Sequence, residues 1–233
     1  MYGITYNNKH SFNDLGLTVL NTRVIETPSK IKITETIPFS NITYDFSNLY
    51  GGNCYTERQL EYEFLIKAHN STELEFKRME VDQWLLSSNS KTPLIDDNML
   101  GYYYKAECIS TDFEDMNNIG KLKAIFTAYP FKISSEYEGN NLWDSFNFEL
   151  DVLQDTKFTV NGTSSVSIYN SSVIDIEPEI IAPSGFEMTL DNKKYTVEAG
   201  ASKDYRFKLK KGANNLTLKG NGTIEFKFRK EVL

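Results

Sequence analysis

The chain has 233 residues and a formal net charge of −7, with 40% hydrophobic and 24% charged residues. This is globular usage, with enough apolar side chains for one large core or two small ones, and it excludes a disordered or fibrous chain. Residues 1–138 carry 13 Lys and Arg against 19 Asp and Glu, while residues 139–233 carry 12 against 13. The acidic excess of the front half argues against a nucleic-acid grip, which needs a basic footprint.

The first seventeen residues turn polar within ten and lack the paired basic and apolar regions of a signal peptide, which predicts synthesis in a cytoplasm. No run reaches the roughly 18 apolar residues of a membrane helix. Residues 1–9 read as a short strand entering an Asn7-Asn8 turn. Residues 11–17 read as one helical turn, capped by Ser11 and stopped by Gly16. Strand signals follow at 18–25 and 30–37, with Ile31, Ile33 and Ile37 set against Lys32, Thr34 and Glu35. An aromatic-rich excursion then carries Phe39, Tyr44, Phe46, Tyr50 and Tyr55 with no helical period. Exposed aromatic surface of that density seeks a partner, either on its own domain or on a neighbouring copy. From Leu60 to Lys67 the pattern alternates, Leu60, Tyr62, Phe64 and Ile66 facing one way, as in a strand with one buried face.

The convincing helix is predicted at about 72–87. Thr72 with Glu75 fits a capping box, and Leu74, Val81, Trp84 and Leu85 form one stripe. Phe76, Met79 and Leu86 fall off that stripe, so the helix is expected to be covered on more than one side. Two strands follow, around 102–109 and 122–129, and the front half reads as α+β. Residues 134–141 are the linker candidate, dividing the chain into 1–138 and 139–233. Beyond it, seven or eight short strands are predicted, separated by turn signals at 161–162, 191–192, 211–212 and 220–222, as in a β-sandwich or jelly roll.

Little of this supports catalysis. His10 and His69 have no partner at metal-ligand spacing, and no GxSxG, phosphate loop or HExxH is present. Asp96-Asp97 reads as a surface turn rather than a calcium corner. Glu149 and Asp151 share a strand face, as a glycosidase pair would, but such pairs are common by chance. Cys54 and Cys108 are expected to be free thiols, with Cys108 buried. Sequons at Asn41, Asn70, Asn161, Asn170, Asn215 and Asn221 read as asparagine-rich turns. The expectation is a protein that is not an enzyme and holds no metal or cofactor. A carbohydrate-binding alternative would use Trp143, Tyr169, Tyr195 and Tyr205 as stacking surfaces in the C-terminal sandwich, although Trp143 also suits an aromatic plug under a sandwich edge.

Several stretches in fixed order carry a resemblance: GITYNNKHSFNDLGL, KIKITETIPFSNITYDF, YTERQLEYEF, DQWLL, LIDDNMLGYYYKA, GKLKAIFTAYPFKI, NLWDSFNFELD and GNGTIEFKFRKEVL. Through them the whole chain resembles the distal tail protein (Dit) family of long, non-contractile-tailed phages. The resemblance implies a mainly β scaffold of the tail tip in the virion, with a ring-forming N-terminal domain and a galectin-like C-terminal β-sandwich. It implies a homo-hexamer around a passage for the tape measure protein and DNA. The tail tube protein lies above such a ring, the tail-associated (Tal-type) protein below, and receptor-binding proteins often at its rim. It also implies a protruding arm that embraces the neighbouring subunit. Residues 30–58 are the candidate arm, with Ile37, Phe39, Tyr44, Phe46, Tyr50 and Arg58 at the subunit interface. In such a ring the acidic front half would repel phosphate across the passage.

Overall fold

The computed structural model describes residues 2–49, 52–140 and 152–233. The chain is mainly β with one α-helix among the described residues, and it divides between Ile133 and Ser134 into two compact units. Tyr50, Trp143, Glu149 and Asp151 lie outside the described residues.

The N-terminal unit begins with β1 (Ile4–Tyr6) and β2 (Lys9–His10), joined by Asn7 and Asn8, both at positive φ. Two such residues make the primed turn whose twist suits a hairpin, which is why Asn occupies both places. Then come β3 (Thr18–Val19), β4 (Val24–Ile25), β5 (Thr34–Thr36), β6 (Thr43–Asp45) and β7 (Arg58–Lys67). Helix α1 (Ser71–Leu86) precedes β8 (Thr92–Asp96), β9 (Tyr102–Asp115) and β10 (Ile119–Ala128). The sheet order is β2-β1-β8-β9-β10-β7-β3, with β4 also on β7, and every pairing in it is antiparallel.

One sheet face is apolar because the alternation of β7 and β10 is in phase. Phe64 pairs with Leu122, Tyr62 with Ala124 and Leu60 with Phe126, all fully buried. Helix α1 lays Leu74, Val81, Trp84 and Leu85 into the same core. Trp84 donates its indole N–H to the Tyr6 carbonyl at 2.7 Å, so the largest side chain of the helix is buried without an orphaned donor. The opposite face carries charges in register: Lys121 pairs with Glu63 at 3.0 Å and Lys123 with Glu61 at 2.7 Å. A bulge at Ile109 shifts β9 against β10, so that Thr111 and Phe113 take over the helix-facing side. Thr111 donates to Asp82 at 2.9 Å, and Arg78 lies 4.5 Å over the Phe113 ring.

Three local expectations are corrected. The helix is capped by Asn70, whose side chain accepts from Glu73 N–H while the Glu73 carboxylate accepts from His69 N–H, each at 2.8 Å. Asn70 wins over Thr72 because that reciprocal pair satisfies two orphaned donors at once. Ser11 is fully buried and caps nothing; its hydroxyl accepts from Ile4 N–H. The turn after it is held by His10 Nδ1, which accepts from Phe12 and Asn13 N–H. Asp96 is no surface turn: it is buried, and its carboxylate accepts from Arg23 at 2.7 Å, Tyr62 at 2.9 Å and Tyr2 at 3.3 Å.

After β11 (Lys132–Ser134), the C-terminal unit contains β12 (Lys157–Asn170), β13 (Glu179–Ala182), β14 (Phe186–Leu190), β15 (Lys193–Val197), β16 (Gly200–Ser202), β17 (Gly212–Lys227) and β18 (Glu231–Val232). Its sheet runs β15-β14-β17-β13-β16, with β12 along β17. The turn signals at 161–162 and 220–222 do not end strands. They face each other inside one long ribbon, Asn161 opposite Asn221 and Gly162 opposite Gly220. Gly162 and Gly222 take positive φ, and a Cβ on Gly220 would sit 2.6 Å from the Phe186 ring. Glycines on facing strands therefore sit inside one unbroken ladder where turn residues would have closed a hairpin. β14 pairs with β17 before these glycines and β13 after them, and both contribute to a single core with Phe186, Met188, Leu218, Ile180 and Phe226.

Candidate functional site

The feature that the core does not explain is the ribbon of β5 and β6. Its base is zipped by Thr56 N–H to Ser29 O and Ile31 N–H to Cys54 O, both 2.8 Å, and Tyr55 anchors it edge-on against Phe131. Beyond that base Thr34 pairs with Asp45, Glu35 with Tyr44 and Thr36 with Thr43, while Phe46 N–H donates to Ile33 O. Every residue of both strands is exposed.

This register sorts the two faces. Side chains alternate along a strand and residues directly opposite share a face. One face holds Lys32, Thr34, Thr36, Thr43, Asp45 and Ser47, and it is satisfied internally. Lys32 pairs with Asp45 at 2.7 Å, and Ser47 Oγ accepts from Ile33 N–H. The Lys32 ammonium and the Ser47 donors hold the Asp45 carboxyl well below the usual carboxylate range. The other face holds Ile33, Glu35, Ile37, Ile42, Tyr44 and Phe46, the last two rings stacked at 6.3 Å. With Ile31 and Leu49, these apolar side chains remain between 42% and 65% exposed. Two strands alone are at best marginally stable in water, and an apolar face on such a ribbon is not maintained for the monomer's sake.

The tip sharpens the point. Ser40 N–H donates to Ile37 O, with Pro38 and Phe39 between them and Phe39 at φ +63°. That is the Pro-X arrangement of a type II turn, whose third position favours glycine. Phe39 occupies it with a fully exposed ring. Among the predicted interface residues, Ile37, Phe39, Tyr44 and Phe46 are thus displayed together. Arg58 is not: it is 3% exposed as the first residue of β7, donates to Pro130 O and lies over the Tyr104 ring. Its place at the start of a buried alternating strand put it in the core. Ile42 and Leu49 were missed because the pattern between 38 and 57 has no period until the hairpin register is known.

In the C-terminal unit, Tyr195 and Tyr205 border one cleft of about 370 Å³ with Thr196, Ser202 and Asp204. Tyr205 is 75% exposed, whereas Tyr195 packs edge-on against Phe207 and donates to Arg206 O. Tyr169, exposed on β12, is not part of that cleft.

Among the described residues no group of His, Cys, Asp or Glu could hold a metal ion, and no helix is long and apolar enough to cross a membrane. His10 contacts Asp97 at 3.0 Å but spends its other nitrogen on the turn. Cys54 is a free exposed thiol. Cys108 is free and buried, and burial pushes it up to about 12. Asn170 is fully buried with its amide bonded to the carbonyls of Ile174 and Leu209, so that sequon is structural.

No protein-family model matches this sequence, and no curated protein does. Among solved structures the fold matches the Dit (gp 19.1) protein of phage SPP1, described as a paradigm of the hub adsorption apparatus in phages that infect Gram-positive bacteria. The TM-score is 0.68 with 100% of both chains covered, at 14% identity. The fold of this chain is therefore a Dit-type fold over its whole length.

Proposed function

We propose that the chain is a structural hub of a phage tail tip and no catalyst. Six copies form a ring through the N-terminal domain, residues 1–138, and the ring joins the tail tube protein to the tail-associated protein and the host-adsorption apparatus. The C-terminal domain, residues 139–233, is the outward galectin-like sandwich, available to receptor-binding proteins. The tape measure protein and DNA use the central passage, from which the acidic front half repels phosphate. The observation that carries this reading is the ribbon of β5 and β6, a polar face satisfied within itself and an apolar face left without a partner. A closed ring needs a head-to-tail interface, in which a protruding element of each copy meets a different surface of the next. The full-length likeness in fold to a protein described as a hub supports the same reading.

Light scattering behind size exclusion, over a concentration range, tests it. The expected mass is close to six times 26.8 kDa. A strict monomer at every concentration, with Ile33→Asp unchanged in assembly with tail partners, would overturn it.

A second reading, recognition of cell-wall polysaccharide, rests on the cleft between Tyr195 and Tyr205. The full chain would then be retained on host cell walls, and Tyr205→Ala would release it.

A further inference from the structure

Helix α1 has a second apolar side that the molecule leaves uncovered. Phe76, Met79 and Leu86 are 66%, 64% and 45% exposed, and with Gln83 they follow the spacing i, i+3, i+7, i+10. That spacing is one straight stripe along a helix, opposite the stripe buried on the sheet. It explains why the sequence predicts cover on more than one side, whereas the described residues provide it on one. We propose that this stripe is the acceptor for the ribbon of β5 and β6 from a second copy of the chain. The inference rests on the ring reading above and names the surface that completes it.

Three observations select the occupant. In a head-to-tail ring the donor and the acceptor are both present on every chain and are different surfaces. The N-terminal unit carries two unpartnered apolar surfaces of matching extent: Phe76 to Leu86 spans about 15 Å of helix, and residues 31–37 span about 20 Å of ribbon. No other element of that unit's described residues, the ribbon and its flanks aside, aligns three exposed large apolar side chains. Ile109 lies on β9 and Met116 just past its end, roughly 23 Å apart if the chain stays extended, and Met116 with Ile119 only flanks a turn. Charge does not decide the pairing: Glu35 is the one charged side chain on the ribbon's apolar face, and the shallow cleft beside Gln83 is lined by both Lys9 and Glu80. A stable interface needs about 800 Å² from each partner, and three exposed side chains on one helix face supply only part of that, so the stripe is the anchor within a larger acceptor.

The test replaces Phe39 or Tyr44 with a photo-crosslinking phenylalanine analogue in the full chain, irradiates under ring-forming conditions and maps the joined peptides. Cross-linked dimers with the second end in residues 71–86 are expected. Met79→Glu should weaken assembly about tenfold while leaving the circular dichroism of the monomer unchanged. Cross-linked dimers joined elsewhere would overturn the acceptor and leave the ring reading standing. Rings without any intermolecular cross-link from the ribbon would overturn the acceptor and the ribbon's role together, and a chain that never assembles would overturn both readings.

Discussion

Asp96 is the residue on which the N-terminal unit converges. Its carboxylate ties β8 to Tyr2 near the chain start, to Arg23 in the segment entering β4, and to Tyr62 in the centre of β7. Burial and the Asp96 charge raise the Tyr62 hydroxyl above its ordinary pKa, so it stays a donor. Asp96→Asn keeps the shape but leaves Arg23 without a countercharge. The expected cost is about 2 kcal/mol, below the 3–5 kcal/mol of a fully buried pair, because the Arg23 side chain is 31% exposed. The thermal midpoint should fall by roughly 4–8 °C; an unchanged midpoint would remove Asp96 from this role. None of this is legible in the sequence. Asp96-Asp97 followed by Asn98 has the composition of a surface turn, and its partners come from 34 to 94 residues away. The burial of Arg58 is hidden from the sequence for the same reason, since burial of a charge is a property of the assembled sheet. The free thiols were legible because they need only local context: Cys108 sits in an apolar alternating run and Cys54 in a polar one.

At the scale of elements, the predictable parts were those specified by neighbouring residues. Asn7-Asn8 and Asp191-Asn192 make tight primed turns because both positions tolerate positive φ. Gly162 and Gly220 carry a similar local signature but lie inside a continuous ribbon, because each faces the other across strands 58 residues apart. Only the partner strand separates the two outcomes. The charged face of the central sheet has a measurable consequence. Lys123 with Gln59 holds the Glu61 carboxyl below its ordinary 4.5, and Thr22 with Lys121 does the same for Glu63. A carboxyl depressed in the folded state contributes stability that is present above its unfolded pKa and lost as pH falls through the folded one. The thermal midpoint should therefore decline once pH drops below about 4.5. The pair Glu61→Gln and Glu63→Gln should start lower at neutral pH and decline less steeply. Parallel curves for variant and parent between pH 7 and 3 would show that these pairs do not couple to folding.

For the whole molecule, the same ribbon separates folding from assembly. Its hydrogen bonds beyond Ser29 and Thr56 run within the segment itself, and its large apolar side chains lie outside both core clusters. Folding of the N-terminal unit should thus be indifferent to it. Deleting residues 36–52 keeps the closing bonds between Ile31 and Cys54 and between Ser29 and Thr56. The remaining chain should melt within about 2 °C of the parent, as surface changes cost little. Assembly should respond in the opposite way, because the deletion removes Ile37, Phe39, Ile42, Tyr44 and Phe46, the exposed apolar side chains toward the ribbon's tip. The shortened chain is expected to elute as a single copy at concentrations where the parent forms rings. A deletion variant that still built the same ring would mean that the exposed apolar face has another use. A variant that failed to fold would mean that the ribbon supports the core through contacts the register does not suggest. The two failures are distinguished by circular dichroism measured beside the mass.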